Sequence, residues 1–190
     1  IIYVPDGCVE TYTNDKNWRR WKNDIKEMPI IDNGIWYEPI SDNEVAVINN
    51  CQVFEPRMMD ICSDYAGDIT IPETVEHNDV TYQVTTIGTF AFGHCERLNS
   101  VTLPATITNI KNRAFAIYYA MDGNLALDTL TVLATTPPQV AEDSFNEYYH
   151  TVLCVLNDSY RRAEYWKNFD KIFVYGSGVR FEDNGIAYET

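Results

Sequence analysis

The strongest constraint on this chain is that it repeats itself. Val84-Thr85-Thr86-Ile87-Gly88-Thr89-Phe90-Ala91-Phe92 returns 23 residues later as Ile107-Thr108-Asn109-Ile110-Lys111-Asn112-Arg113-Ala114-Phe115. Between the copies lies Leu98-Asn99-Ser100-Val101-Thr102-Leu103-Pro104, echoed after the second copy by Leu127-Asp128-Thr129-Leu130-Thr131-Val132. A unit of about 20–30 residues with apolar side chains at fixed offsets cannot bury its own apolar face; it does so by stacking on its neighbours, as the coils of a solenoid do.

The strands follow from the same offsets. Ile69/Ile71, Val101/Leu103, Leu130/Val132 and Leu153/Val155 each read as a short strand with two inward side chains. Alternate residues of a strand face opposite ways, so Ser100, Thr102, Thr129, Thr131 and Cys154 are expected to point outward. Ile87, Leu98 and Ile110 are expected in the core, with Phe92, Phe115 and Phe145 stacked at the far side of each coil.

A second, longer period runs through the whole chain. Leu153-Cys154-Val155-Leu156-Asn157-Asp158-Ser159 lies 151 residues after Ile2-Tyr3-Val4-Pro5-Asp6-Gly7-Cys8, and Asp183-Asn184-Gly185-Ile186-Ala187-Tyr188 lies 151 after Asp32-Asn33-Gly34-Ile35-Trp36-Tyr37. Trp166, Phe169 and Phe173 follow Trp18, Trp21 and Ile25 at 148. The expected division is therefore 1–28, strand and cap helix of a preceding module; 29–83, a β-rich lead into the repeats; 84–156, the repeats; 157–175, a C-terminal cap helix; and 176–190, the start of a following module. The opening Ile1-Ile2-Tyr3-Val4, without Met, fits a processed or excised piece.

Local patterns fill in the ends. Val9, Tyr12, Trp18, Trp21 and Ile25 include helical spacings, which predicts a helix with one aromatic face. Such a pair of tryptophans also suits a sugar platform, but a helix covering an exposed core edge is the favoured use. Tyr160, Tyr165, Trp166 and Phe169 predict a second such helix, closing the solenoid after Val155. Gly34 to Tyr37 and Glu44 to Ile48 flank Ser41-Asp42-Asn43 and predict a hairpin. Residues 49–67 have no clear period.

Composition narrows the function classes. At 45% hydrophobic and 22% charged the chain is built to fold, and no run of about 18 apolar residues is present to insert into a membrane. Lys and Arg number 14 against 28 Asp and Glu, a net charge of −14, which repels phosphate backbones and makes nucleic acid a poor partner. Cys8, Cys51, Cys62, Cys95 and Cys154 form no CxxC pair, and only Cys51 and Cys62 lie near enough in sequence to suggest a bridge. Asp122-Gly123-Asn124 and the stretch Ser63 to Asp68 offer oxygen ligands without the alternating spacing of a calcium loop, so no metal or cofactor is expected. His77, His94 and His150 are scattered and read as loop residues; no GxSxG, GxxxxGK[ST] or HExxH occurs, so no catalytic residue is assigned. Tyr118-Tyr119 and Tyr148-Tyr149 follow the Phe of a coil and are candidate contact residues, since Tyr joins apolar area to a polar tip; the alternative is that one of each pair packs inside.

The motifs Ile87-x3-Ala91-Phe92, Cys95-x2-Leu98-x2-Val101-x-Leu103-Pro104, Ile110-x3-Ala114-Phe115 and the closing Pro137-Pro138 together resemble the BspA-like leucine-rich repeats of host-associated bacteria. The resemblance covers most of the chain, including its strand-plus-Tyr/Trp-helix cap at Leu153 to Ile172 and Ile2 to Ile25. It implies an α/β fold: a short right-handed leucine-rich-repeat solenoid with a β-rich lead-in and helical caps, displayed on the cell surface or secreted. It also implies non-enzymatic binding or adhesion, toward a protein or glycan of a host or neighbouring cell. A purely structural spacer is the alternative, and an accessory domain of a glycan-active enzyme the third class. Residues 1–28 are expected either to dock on residues 30–50 or to contact another copy of the chain.

Overall fold

The computed structural model describes residues 2–50, 65–116, 127–146, 148–175, 182–183 and 186–187. In chain order these form β1 (Ile2–Val4), α1 (Val9–Asn14), a 3-10 turn (Arg19–Trp21), β2 (Ile25–Glu27), β3 (Ile30–Asp32), β4 (Ile35–Pro39) and β5 (Glu44–Ile48). Then come β6 (Ala66–Thr70), β7 (Thr74–His77), β8 (Val80–Ile87), β9 (Arg97–Leu103), β10 (Asn109–Ile110), β11 (Thr129–Val132), β12 (Gln139–Val140) and β13 (Val152–Val155). Two further 3-10 turns (Asp158–Arg161, Trp166–Asn168) lead to β14 (Lys171–Val174), and β15 (Glu182–Asp183) pairs with β16 (Ile186–Ala187).

From β8 to β13 the chain alternates between two sheets. One has the order β12-β10-β8-β5-β4-β3, with β7 also on β8; the other, all parallel, has the order β14-β13-β11-β9-β6. Among the described residues the result is a sheet-rich fold with very little helix and no closed barrel. Parallel pairing follows from the repeats, because successive coils run the same way and each strand meets its counterpart one unit on. Thus Ile110 pairs with Ile87 on one side, and Leu130 with Val101 on the other. The hairpin Tyr37↔Val47 and the antiparallel pair β7–β8 precede this regular part.

One core lies between the two sheets. The inward row Val101, Leu130, Leu153 and the row Leu103, Val132, Val155 are all fully buried, as are Ile87, Leu98 and Ile110 at no more than 1% exposure. At the turns the aromatic rings form a column: Tyr65 to Phe92 at 5.0 Å, Phe92 to Phe115 at 5.2 Å and 14°, Phe115 to Phe145 at 5.1 Å and 4°. The backbone fixes this stacking. Phe92 N donates to Ala114 O (2.7 Å) and Phe115 N to Ser144 O (2.9 Å), while Phe90 and Arg113, one unit apart, both adopt positive φ. Gly88 sits where a Cβ would come 2.6 Å from the Val47 carbonyl oxygen, so a side chain is barred from that turn. Buried hydroxyls are satisfied in place: Ser144 Oγ donates to Lys111 O and Thr151 Oγ1 to Leu127 O, both at 2.7 Å.

Both predicted helices are corrected. Between Val9 and Ile25 the α-helix stops at Asn14, because Asp15 turns extended and its carboxylate accepts from Asn17 N (2.7 Å). Ile25 belongs to β2, drawn out by parallel pairing with Ile2. After Val155 the segment forms two 3-10 turns rather than one helix, with Tyr165 between them at φ 64°. Fixed tertiary anchors decide this: Tyr160 Oη donates to Ala134 O (2.6 Å) and Trp166 Nε1 to Pro138 O (2.9 Å), positions that a continuous helix would not hold together. Phe173, aligned with a helical position from the sequence, lies in β14.

Candidate interaction surface

The outer face of the five-stranded sheet carries two straight rows. Register sets the first as Asp68, Ser100, Thr129, Val152, Lys171 and the second as Thr70, Thr102, Thr131, Cys154, Phe173. Neighbouring members of a row are about 4.8 Å apart, the spacing of paired strands. Ser100, Thr102, Thr129 and Thr131 are half-buried by one another, leaving a short-chained face with hydroxyl donors and acceptors. Ser100 Oγ donates to Asp68 Oδ1 at 2.7 Å, which fixes one carboxylate at the edge of the face. Asn99 is the extra residue of a bulge in β9, opposite the junction of Gly67 (φ 72°) and Asp68, and it brings Asp68 into register with Ser100.

Other candidates fall elsewhere. Cys154 is on the second row, but only 9% of it is exposed. Tyr175 and Thr131 hydrogen-bond its thiol, and burial pushes the thiol pKa up, so it is an inert part of the face rather than an outward group. Tyr148 turns inward against Phe145 (5.9 Å) and Phe169 (5.0 Å), whereas Tyr149 is 55% exposed. Tyr118 and Tyr119 lie outside the described residues, as do Asp122 to Asn124, Ser63, Asp64 and the pair Cys51 and Cys62. Cys8, Cys95 and Cys154 form no disulfide with one another, and among the described residues no group of three metal-capable side chains comes together. Asp68, Thr70, Lys171 and Phe173 extend the rows. The first two follow from the alternation around Ile69 and Ile71; the last two have the same signal in Lys171-Ile172-Phe173-Val174, obscured by the helical reading of that segment.

His77 is not a loop residue: it ends β7 and faces the chain's first turn. Its Nε2 meets Asp6 Oδ2 at 2.6 Å, and Asn78 Nδ2 donates to the same oxygen at 2.8 Å. A second tie, Lys26 Nζ to Glu38 Oε2 at 2.5 Å, joins β2 to β4. Beside the Lys26–Glu38 tie lies a groove of about 250 Å³, lined in part by Tyr3, Val9, Met28 and Ile48. The His77 hydrogen bond, helped by Asn78 and by the His77 charge, holds the Asp6 carboxyl below the usual carboxylate range. A depressed pKa in the folded state means that this tie contributes above the unfolded value of about 4 and is lost as pH falls through the folded one. Both groups are about a third exposed, so the effect is local. Amide spectra across Asp6 to Gly7 and His77 to Asn78 should therefore show an acid transition below about pH 4 that Asp6→Asn removes. A transition that survives Asp6→Asn would assign it to another carboxylate.

With the geometry in place, comparison supplies the family. Residues 71–123 match the model described as "BspA type Leucine rich repeat region (6 copies)". Over that stretch the repeats match the BspA type. The matched stretch runs from Ile71 through both Ala-Phe turns and includes β9, which carries Ser100 and Thr102 of the two rows. No curated protein matches the chain. Among solved structures the chain is similar to a leucine rich cell surface protein from Faecalibacterium prausnitzii A2-165, at 17% identity and a TM-score of 0.41. That similarity covers 68% of this chain and 33% of the other, so the chain spans about a third of the structure it matches. Among the described residues no helix is long and apolar enough to cross a membrane.

Proposed function

We propose that this chain is a non-enzymatic interaction segment of a bacterial cell-surface or secreted protein, a short right-handed solenoid that presents the outer face of its parallel sheet to a protein or glycan. The observation that supports this reading most is the pair of rows through Asp68, Ser100, Thr129 and Thr70, Thr102, Thr131. Short hydroxyl side chains in register lose little rotamer freedom on binding and offer donors and acceptors at a fixed repeat. The BspA-type repeats support the location outside the cell.

The test is a panel of glycans and host or bacterial surface proteins screened with the intact chain, then with Thr102→Lys/Thr131→Lys. The double substitution adds bulk and charge on the face while leaving the inward rows unchanged, so the chain should still melt cooperatively, with a modest loss from the two paired charges. Binding should fall by roughly tenfold or more, the loss of one or two well-placed polar contacts. Undiminished binding by the double variant would move the site off this face, and silence across a broad panel would favour a spacer.

A further inference from the structure

The two ends of the chain are built alike but are covered differently. At the C-terminal end, β13 and β14 pair in parallel, Leu153 opposite Ile172, with Tyr160, Trp166 and Phe169 between them in sequence. At the N-terminal end, β1 and β2 pair in parallel, Ile2 opposite Ile25, with Tyr12, Trp18 and Trp21 between them. All three aromatic positions correspond at one offset, 148 residues. Their ring geometry corresponds too. Tyr160 meets Trp166 edge-on at 5.2 Å and 81°, and Tyr12 meets Trp18 edge-on at 5.5 Å and 75°. Trp166 lies 6.1 Å from Phe169 and Trp18 a similar 5.9 Å from Trp21, although the first pair is stacked at 24° and the second tilted at 53°.

What differs is cover. Tyr160, Trp166 and Phe169 are 0%, 1% and 4% exposed, because the coil before them supplies Phe145 at 5.8 Å from Trp166 and the carbonyls of Ala134 and Pro138. Trp18 is 37% exposed, and Tyr12 and Trp21 are only half-buried. The strand edge tells the same story. β13 has β11 on one side and β14 on the other, whereas among the described residues β1 has β2 as its only strand partner. An aromatic face beside an open strand edge is a surface built to be covered.

We propose that β1, Tyr12, Trp18 and Trp21 form the seat for the last coil of a preceding leucine-rich module, built as residues 127–145 are built here. The occupant would add a parallel strand to the free edge of β1 as β11 does to β13. It would bring a phenylalanine over Trp18 as Phe145 lies over Trp166, and two backbone carbonyls to Tyr12 Oη and Trp18 Nε1. Because β2 is tied to β4 by Lys26–Glu38 and the first turn to β7 by Asp6–His77, the seat would hold that module in fixed orientation to this one. The seat is separate from the sheet face assigned to ligand.

The test places residues 29–151 of this sequence ahead of Ile1 in the full chain, so that Thr151 leads into Ile1 as it leads into Val152. Hydrogen exchange of the Tyr3 and Val4 amides should slow by roughly tenfold or more relative to the chain alone, as an edge becomes an interior strand. Trp18→Ala should leave the melting temperature of the 190-residue chain within about 2 °C, whereas Trp166→Ala should lower it several-fold further. Unchanged exchange at β1 in a folded tandem protein would overturn the proposal. So would a Trp18→Ala loss equal to that of Trp166→Ala, a result that needs no tandem protein and means the seat is already filled. Dimerisation of the 190-residue chain that Trp18→Ala abolishes would overturn it as well, giving the seat to a second copy.

Discussion

Deleting residues 157–175 should leave a chain that aggregates instead of melting cooperatively. The segment holds Tyr160, Trp166 and Phe169, all within 4% of complete burial, and β14, the outermost strand of the parallel sheet. Its loss would expose Phe145 and the Leu153–Val155 face together, strip hydrogen-bond partners from the Ala134 and Pro138 carbonyls, and bare the edge of β13. Repeat arrays depend on such closures, since an uncovered last coil offers both apolar surface and unpaired backbone to other chains. Static light scattering through a thermal ramp decides it. A monomeric product with a single sharp transition would show that the last coil is stable without its cover.

Phe115→Ala should be the most costly single substitution in the repeats. Its ring lies between Phe92 at 5.2 Å and Phe145 at 5.1 Å, both nearly parallel, so truncation opens a void inside a column rather than at its end. Large-to-small changes of this kind cost roughly 3–5 kcal/mol when the surroundings cannot collapse, and the column is held by the backbone bonds of its turns. For a chain of this size that is a drop in melting temperature of about 6–20 °C. Phe90→Ala, which removes a half-buried ring 5.4 Å from the Arg113 guanidinium, should cost a small fraction of it. Equal effects from the two substitutions, followed by circular dichroism, would mean that the column carries no special share of the stability.

The column was legible because the Ala-Phe turn recurs, with Ser144-Phe145 as a third, altered copy. Ala91-Phe92 and Ala114-Phe115 occupy equivalent turns, and nothing else in the sequence competes for those positions. The strand rows were legible for the same reason: Val101/Leu103 and Leu130/Val132 alternate with short polar residues whichever coil they belong to. The caps were not. Aromatic spacing reports that residues share a face, and Tyr12, Trp18 and Trp21 do share one, but a helix, a 3-10 turn and an extended link can all bring them together. What chose among them was long-range: the edge of β1 for Ile25, the carbonyls of Ala134 and Pro138 for Tyr160 and Trp166. Tyr65 was hidden by lack of period. It heads the aromatic column and is fixed by its hydroxyl, which accepts from Trp36 N and donates to Ile48 O, both at 2.9 Å. The contact of Asp6 with His77 spans 71 residues with no repeat to announce it.

One cooperative body from β6 to β14 is the claim on which the face, the column and the closure all rest. Native-state hydrogen exchange across a denaturant series measures it directly, because amides that open together share one free energy and one slope. The account predicts that the slowest amides of β8, β9, β11, β13 and β14 fall on a single isotherm, with Tyr3 and Val4 of β1 exchanging earlier from their open edge. Two separate isotherms dividing β9 and β11 from β13 and β14 would contradict it, since the last coil and its cover would then be folding apart from the repeats.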